Sequence, residues 1–180
     1  MDISCPNVIR NRRSIRGFSS KTVPSELLMK VIDCALWAPS AGNLQPWHIL
    51  VVTNKMKKVA LAEAALGQRF ISEAPVVLVI CAEPDRSSGR YGSRGREMYC
   101  IQDTANLTYA ITLVAESLGL GTCWVGAFHD NQVRDVLSIG SERKPVAIVP
   151  IGYPVGPGTK SSRRRINEVI TLVDEQELRN

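Results

Sequence analysis

The stretch APSAGNLQPW, residues 38–47, is composed for something other than regular secondary structure. Pro39 stops a helix, Gly42 permits a positive φ, and Pro46 fixes an extended backbone just before the apolar run at residues 48–52. A rigid turn follows from that composition. It carries Ser40, Asn43 and Gln45 beside the flat indole of Trp47, the kinds of group that read a planar, hydrogen-bonding ligand. The same residues also fit a helix-to-strand connector whose polar groups face water, and the turn alone does not separate the two. A second stretch, RRSIR at residues 12–16, tips the reading toward a bound cofactor.

Upstream of the turn, Leu27, Leu28, Val31, Ile32, Ala35 and Leu36 recur as adjacent pairs four apart, with Pro24 at the start. That spacing predicts an amphipathic helix over 24–37 that delivers the chain into the turn. A short helix is expected over 6–11. Downstream, 48–53 reads as a strand and Asn54 as the N-cap of a lysine-rich helix running to about residue 66. Pro75 introduces VVLVICA, residues 76–82, a continuous apolar run that predicts a central strand covered on both faces.

Residues 83–95, rich in Pro, Gly and Ser, read as a mobile loop. Residues 96–118 read as a long helix, apolar on so many faces that it is largely buried and suited to a subunit contact, stopped by Gly119 and Gly121. A short strand or bend is expected over 121–128, an Asp130-capped helix to Leu137, and a strand over 145–151. From Tyr153 the chain is too irregular to fold on itself, and its apolar segment 166–173 needs a surface, for which a second chain is the candidate. Strands do not alternate cleanly with helices, so the pattern argues against a doubly wound sheet.

Composition narrows the function classes. At 180 residues, with 44% hydrophobic and 22% charged residues, the chain is of single-domain length and ordinary globular composition. No apolar run approaches a membrane span, and residues 1–13 lack the apolar core of a secretory signal, which together give the expectation of a cytoplasmic protein. The five cysteines, Cys5, Cys34, Cys81, Cys100 and Cys123, are spread without any C-x-x-C pairing and read as reduced thiols. With only His48 and His129 available, a metal site is not expected.

A net charge of +5 implies an anionic partner, and much of it lies in Arg10, Arg12, Arg13 and Arg16 and in Arg163, Arg164 and Arg165. No aromatic interleaves with these runs, so nucleic acid is disfavoured against a small phosphate-bearing ligand; two solvated faces are the plain alternative. The dinucleotide G-x-G-x-x-G, the Walker loop and the G-x-S-x-G elbow are all absent from the sequence.

Taken in order, RRSIR at 12–16, PSAGNLQPW at 39–47, GLGTCWVGAF at 119–128 and PIGYP at 150–154 followed by basic residues resemble the nitroreductase family of flavin enzymes. The resemblance spans nearly the whole chain. It implies an α+β, three-layer fold with a mixed, mainly antiparallel sheet flanked by helices. It also implies a single domain over 1–180 whose residues 153–180 form an extended C-terminal arm exchanged in a homodimer. Two FMN molecules would sit at the dimer interface, reduced by NAD(P)H and reoxidised in a ping-pong cycle by a flat acceptor such as a nitroaromatic or quinone. Relatives that carry or consume the flavin, or dehalogenate, are the alternative within the resemblance; a basic interaction protein without cofactor is the alternative outside it.

The resemblance assigns Arg12, Arg13 and Ser14 to the FMN phosphate and Arg16 to the flavin N1 and O2 edge, where a cation raises the reduction potential. Pro39, Ser40, Ala41 and Asn43 would reach the flavin from the partner subunit. Cys123, Trp124, Val125 and Gly126 would offer backbone N–H groups to N5 and O4, and Gln68 would meet the pyrimidine edge. Arg163, by its spacing before INEVI, is the second phosphate arginine, with Arg164 and Arg165 as neighbouring registers. No side chain is assigned to bond-making, which belongs to flavin N5. Trp47 fits a core aromatic better than a stacking one, Cys123 reads as an inert thiol with nothing basic beside it, and Tyr91 and Arg94 either gate the site or decorate a loop.

Overall fold

The computed structural model describes residues 7–173. Helix α1 (Asn7–Asn11) gives way to an extended segment, and α2 (Ser25–Ala35) starts directly after Pro24. It buries Leu28, Val31, Ile32 and Ala35, the face that the paired spacing predicts. Past the 3-10 turn Ala41–Asn43 comes β1 (Trp47–Val52). The Asn54 side chain then accepts from the Lys57 N–H at 3.0 Å, capping α3 (Lys55–Ala64). There follow α4 (Phe70–Glu73), β2 (Val76–Ala82), α5 (Pro84–Arg94), a π-turn (Gly95–Tyr99) and α6 (Cys100–Ser117). The chain continues through β3 (Gly121–Thr122), α7 (Asp130–Leu137), β4 (Lys144–Gly152) and a last 3-10 turn (Ile166–Glu168).

The strands form one four-stranded antiparallel sheet in the order β1-β2-β4-β3. An isolated parallel bridge joins Ser14 to Thr122 beside β3. Every residue of β2 is buried, as its unbroken apolar run requires of an inner strand. Its period of two sends Val76, Leu78 and Ile80 into a core shared with α2 and α6, where they join Val31, Leu107 and Ile111. Val77, Val79 and Cys81 enter a second core on the other face, with Leu61 of α3, Ile71 of α4 and Val133 of α7. Two helical layers on one antiparallel sheet are the three-layer α+β arrangement expected. Trp47, 8% exposed, belongs to the first core, as a packing aromatic.

Several local expectations need correction. Residues 83–95 are helical: Pro84 occupies the first turn of α5, and the only break is Gly92 at φ +56. Of the glycines that suggested a loop, Gly95 serves packing instead, since a Cβ there would lie 2.5 Å from the Ser87 carbonyl oxygen. The helix expected from residue 96 opens as the π-turn and becomes regular at Cys100. It is buried along one face only, and that face includes Asp103, Thr104, Thr108 and Thr112, while Tyr109 stands exposed. Asp130 is the first helical residue of α7 rather than its cap; His129 takes the cap position, without a side-chain cap bond. Over residues 154–173 the chain is exposed, with Ile166 at 74% and Val169, Ile170, Leu172 and Val173 also uncovered. The expectations for Cys5, for Pro6 as the start of the first helix and for residues 174–180 of the arm fall outside the described residues.

Candidate functional site

Ile15 places the arginine run. Its N–H donates to the Thr122 carbonyl at 2.8 Å, and its side chain is buried against Gly121. A Cβ at 121 would lie 2.7 Å from Ile15 Cγ1, so the glycine is there for close approach as well as to end α6. With Ile15 turned inward, the alternating neighbours Ser14 and Arg16 lie on the side of Cys123. Burial pushes the Cys123 thiol pKa up, while the Arg16 charge, the Ser14 hydroxyl and the Arg12 charge pull it down; burial wins. Cations do stand beside this thiol, contrary to expectation, yet it keeps the character of an inert one.

The tail is led back over this segment by two backbone bonds, Ser19 N–H to the Tyr153 carbonyl at 2.8 Å and Val155 N–H to the Gly17 carbonyl at 3.2 Å. It thereby closes a cleft of about 510 Å³ between residues 9–14 and 159–163. Arg10, Arg12, Arg13, Ser14, Lys160 and Arg163 line it, and no carboxylate does. None of these four arginines has an ion-pair partner among the described residues. A concentration of unneutralised guanidinium groups beside a hydroxyl is an anion site. Arg13 spends part of its fork on the Arg10 and Arg12 carbonyls, and Arg163 on those of Ser161 and Ser162. Arg164 turns away to Glu168, 3.6 Å distant.

Next to the cleft, the Arg16 guanidinium lies 5.7 Å from the centre of the Phe70 ring. Gln68 donates its amide to the Ala65 carbonyl at 2.9 Å and the Ala127 carbonyl at 3.3 Å, which leaves its oxygen as the unspent acceptor. Along 123–126 the backbone alternates. Cys123 N–H donates to the Pro150 carbonyl at 3.4 Å and Val125 N–H to that of Ile148 at 2.9 Å. Trp124 and Gly126 N–H make no hydrogen bond among the described residues. Free donors are therefore offered by Trp124 and Gly126, not by all four residues. A Cβ at 126 would meet nothing within 4 Å, so packing within the chain does not demand a glycine there.

The 40–45 turn is built as its composition implies, with Gly42, Asn43 and Gln45 at φ of +56, +56 and +50. Two non-glycine residues in that region cost about 1–2 kcal/mol each and persist only when over-determined. Ser40 Oγ accepts from Gln45 N–H at 2.9 Å, and Asn43 Oδ1 accepts from Gln45 Nε2 at 3.2 Å. From α6, Asn106 Nδ2 donates to the Pro39 carbonyl at 3.3 Å, while Ala41 N–H donates to Asp103 Oδ1 at 3.0 Å.

Asp103 is a functional candidate that the sequence reading missed. It is 4% exposed, its Oδ2 has no partner, and desolvation raises its carboxyl pKa against the Ala41 N–H that lowers it. The signal was a lone charge within the run CIQDTANLTYAITLVA, residues 100–115. Arg86, whose Nε donates to the Leu44 carbonyl at 2.6 Å, is a second residue the sequence hides, because the Pro, Gly and Ser content of its segment reads as a loop.

The structure gathers Arg12, Arg13, Ser14, Arg16, Gln68, Phe70, the 123–126 segment and Arg163 into one region. It does not bring Pro39, Ser40, Ala41 and Asn43 there. The turn is tied to Asp103 in the first turns of α6, whereas Ile15 packs on Gly121 beyond its other end. At 1.5 Å per residue the intervening helix spans about 20 Å.

The family model described as Nitroreductase family matches residues 9–68 and 63–153. Among curated proteins, the chain is 33% identical to a Thermus thermophilus NADH dehydrogenase over 88% of this chain and 91% of that one. It is 29% identical to the FMN reductase [NAD(P)H] of Bacillus subtilis, over 94% of this chain and 75% of that one. Among solved structures, NfrA2 of B. megaterium superposes with a TM-score of 0.86 at 28% identity, covering 95% of this chain and 74% of that one. With the family model matched across most of its length, the chain belongs to the nitroreductase family of oxidoreductases.

Proposed function

We propose that this chain is an FMN-dependent NAD(P)H oxidoreductase that works as a homodimer on flat acceptors such as nitroaromatics or quinones. The observation that carries the reading is the carboxylate-free arginine cleft opening beside the two unspent N–H donors of Trp124 and Gly126. Arg12, Ser14 and Arg163 would hold the FMN phosphate, with Arg10, Arg13 and Lys160 adding to the field. Arg16 would place positive charge at the N1 and O2 edge, and Gln68 would present its acceptor to the pyrimidine N–H. Bound FMN would supply two-electron hydride chemistry at N5.

The fit is supported by the open space at Gly126 and by the donors no protein group uses. It is incomplete within one chain, because Ser40 and Asn43 lie about 20 Å away along α6. A homodimer in which the partner's turn completes each site resolves this. The exposed apolar residues between 166 and 173 then act as an arm, at the end of a single 1–180 domain, that covers part of the partner. One flavin face serving donor and acceptor in turn makes the kinetics ping-pong. Among the described residues no helix is long and apolar enough to cross a membrane. With NAD(P)H as donor, the reading places the enzyme in the cytoplasm. The test is purification followed by absorbance and FMN release, then steady-state NAD(P)H oxidation with menadione. Colourless protein that takes up no FMN, or turnover without flavin, would refute the reading.

A further inference from the structure

Helix α5 takes no part in holding the flavin in that account, yet two of its cations, Arg86 and Arg90, reach the 40–45 turn. Arg86 and Arg90, four apart, share one face of α5, and Arg94 follows the break at Gly92. Arg86 Nε is fixed on the Leu44 carbonyl at 2.6 Å. Arg90 lies over Gly42: a Cβ there would stand 2.8 Å from Arg90 Nη1 and 2.6 Å from the Tyr91 hydroxyl oxygen. Arg94 Nε donates to the Tyr99 hydroxyl at 2.9 Å, with its guanidinium 5.3 Å from that ring's centre. Tyr91 and Tyr99 meet edge to face at 5.2 Å, so two of the arginines rest on one aromatic pair. Arg96 is paired with Asp85, whereas Arg86, Arg90 and Arg94 have no carboxylate partner among the described residues.

We propose that Arg86, Arg90 and Arg94 form a second anion site, which grips the phosphate groups of the nicotinamide donor and makes NADPH the preferred one. The proposal rests on the reading above, in which this turn borders the partner's flavin. Three guanidinium groups with no carboxylate partner among the described residues favour an anion. Arg86 and Arg94 spend only Nε, which leaves the planar Nη forks that suit phosphate oxygens. The FMN phosphate is accounted for at the other end of α6, so the anion at this end is a different one. Of the two substrates the donor carries phosphates, and the ribose phosphate that distinguishes NADPH adds the dianion that three cations match best.

The experiment uses FMN-loaded wild type, Arg90→Gln, Arg94→Gln and, as an exposed control on α3, Lys55→Gln. Two quantities are read: the NADPH to NADH ratio of kcat/KM with menadione, and calorimetric binding of adenosine 2′,5′-bisphosphate against AMP. We expect wild type to favour NADPH, and each α5 variant to lower the ratio about tenfold, the loss of one charge-assisted bond. Bisphosphate binding should weaken in parallel, and Lys55→Gln should change neither. An unchanged ratio and unchanged bisphosphate binding in variants that hold FMN and turn over would overturn this site while leaving the flavin reading intact. Failure of wild type to take up FMN would overturn both. If the variants instead lose turnover of 4-nitrobenzoate relative to nitrobenzene at a constant donor ratio, the anion belongs to the acceptor and the donor assignment is wrong.

Discussion

If Arg12 holds the FMN phosphate, replacing it by alanine separates the phosphate from the rest of the flavin. Arg12 is half-buried in the cleft, flanked by Ser14 and free of any carboxylate among the described residues, so its charge is only partly screened by water. A charge-assisted hydrogen bond in such a place contributes about 1.5–3 kcal/mol. At about 1.4 kcal/mol per decade, Arg12→Ala should raise the FMN dissociation constant roughly 10- to 150-fold. Riboflavin lacks the phosphate, so its affinity should stay within about twofold. Arg163→Ala should act in the same direction but more weakly, because Arg163 is exposed. Flavin fluorescence titrations of both ligands at about 0.05 M and 0.5 M salt would measure this, and the wild-type preference for FMN should shrink as the Debye length falls. Equal losses for FMN and riboflavin, or a preference indifferent to salt, would return these arginines to a solvated surface.

Asp103 gives a stability prediction with a definite sign. Its folded pKa lies above the ordinary 3.8, so the native state holds the proton more tightly than the unfolded chain. Its ionisation therefore costs stability progressively as pH rises from about 4 through the raised value. Urea unfolding at pH 4.5 and 7 should show that cost in wild type and not in Asp103→Asn; the same pH dependence in both would remove the idea. Asp103→Leu, which abolishes the acceptor for Ala41 N–H, should lose about 1–3 kcal/mol, and an unchanged urea midpoint would mean the turn does not need it. Gly121→Ala drives a methyl into Ile15 and should cost about 1–3 kcal/mol while weakening FMN binding, read by thermal melts and titration. Ile111→Ala, at a fully buried position under the sheet, should cost about 2–5 kcal/mol with flavin affinity per folded molecule unchanged.

What the sequence disclosed follows from how local each signal is. The all-apolar VVLVICA run, the paired spacing of α2 and the Asn54 cap are decided within a few residues, and each appears where expected. The arginine run and the 40–45 turn were likewise legible as polar groups in places where regular structure has no use for them. Residues 83–95 were not, because glycine supplies close packing as readily as looseness: Gly95 against Ser87 is settled by a contact eight residues back. The alternation of spent and free N–H groups along 123–126 depends on pairing with β4, which the local sequence does not show. Asp103 was hidden for a similar reason, since its partner Ala41 is 62 residues away. That the turn and the arginines lie at opposite ends of α6 is a property of the assembled layers alone.

This last separation makes the shared site the central claim, and complementation tests it most directly. Chains carrying Arg12→Ala with Arg16→Ala, and chains carrying Ser40→Ala with Asn43→Ala, would be co-expressed under two affinity tags and the heterodimer isolated by both. If each site takes its arginines from one subunit and its turn from the other, a heterodimer holds one intact and one doubly damaged site, and its kcat per dimer should be about half that of wild type. Activity no higher than the mean of the two parental homodimers, in a heterodimer verified by mass, would show that both sets of residues serve a site within one chain.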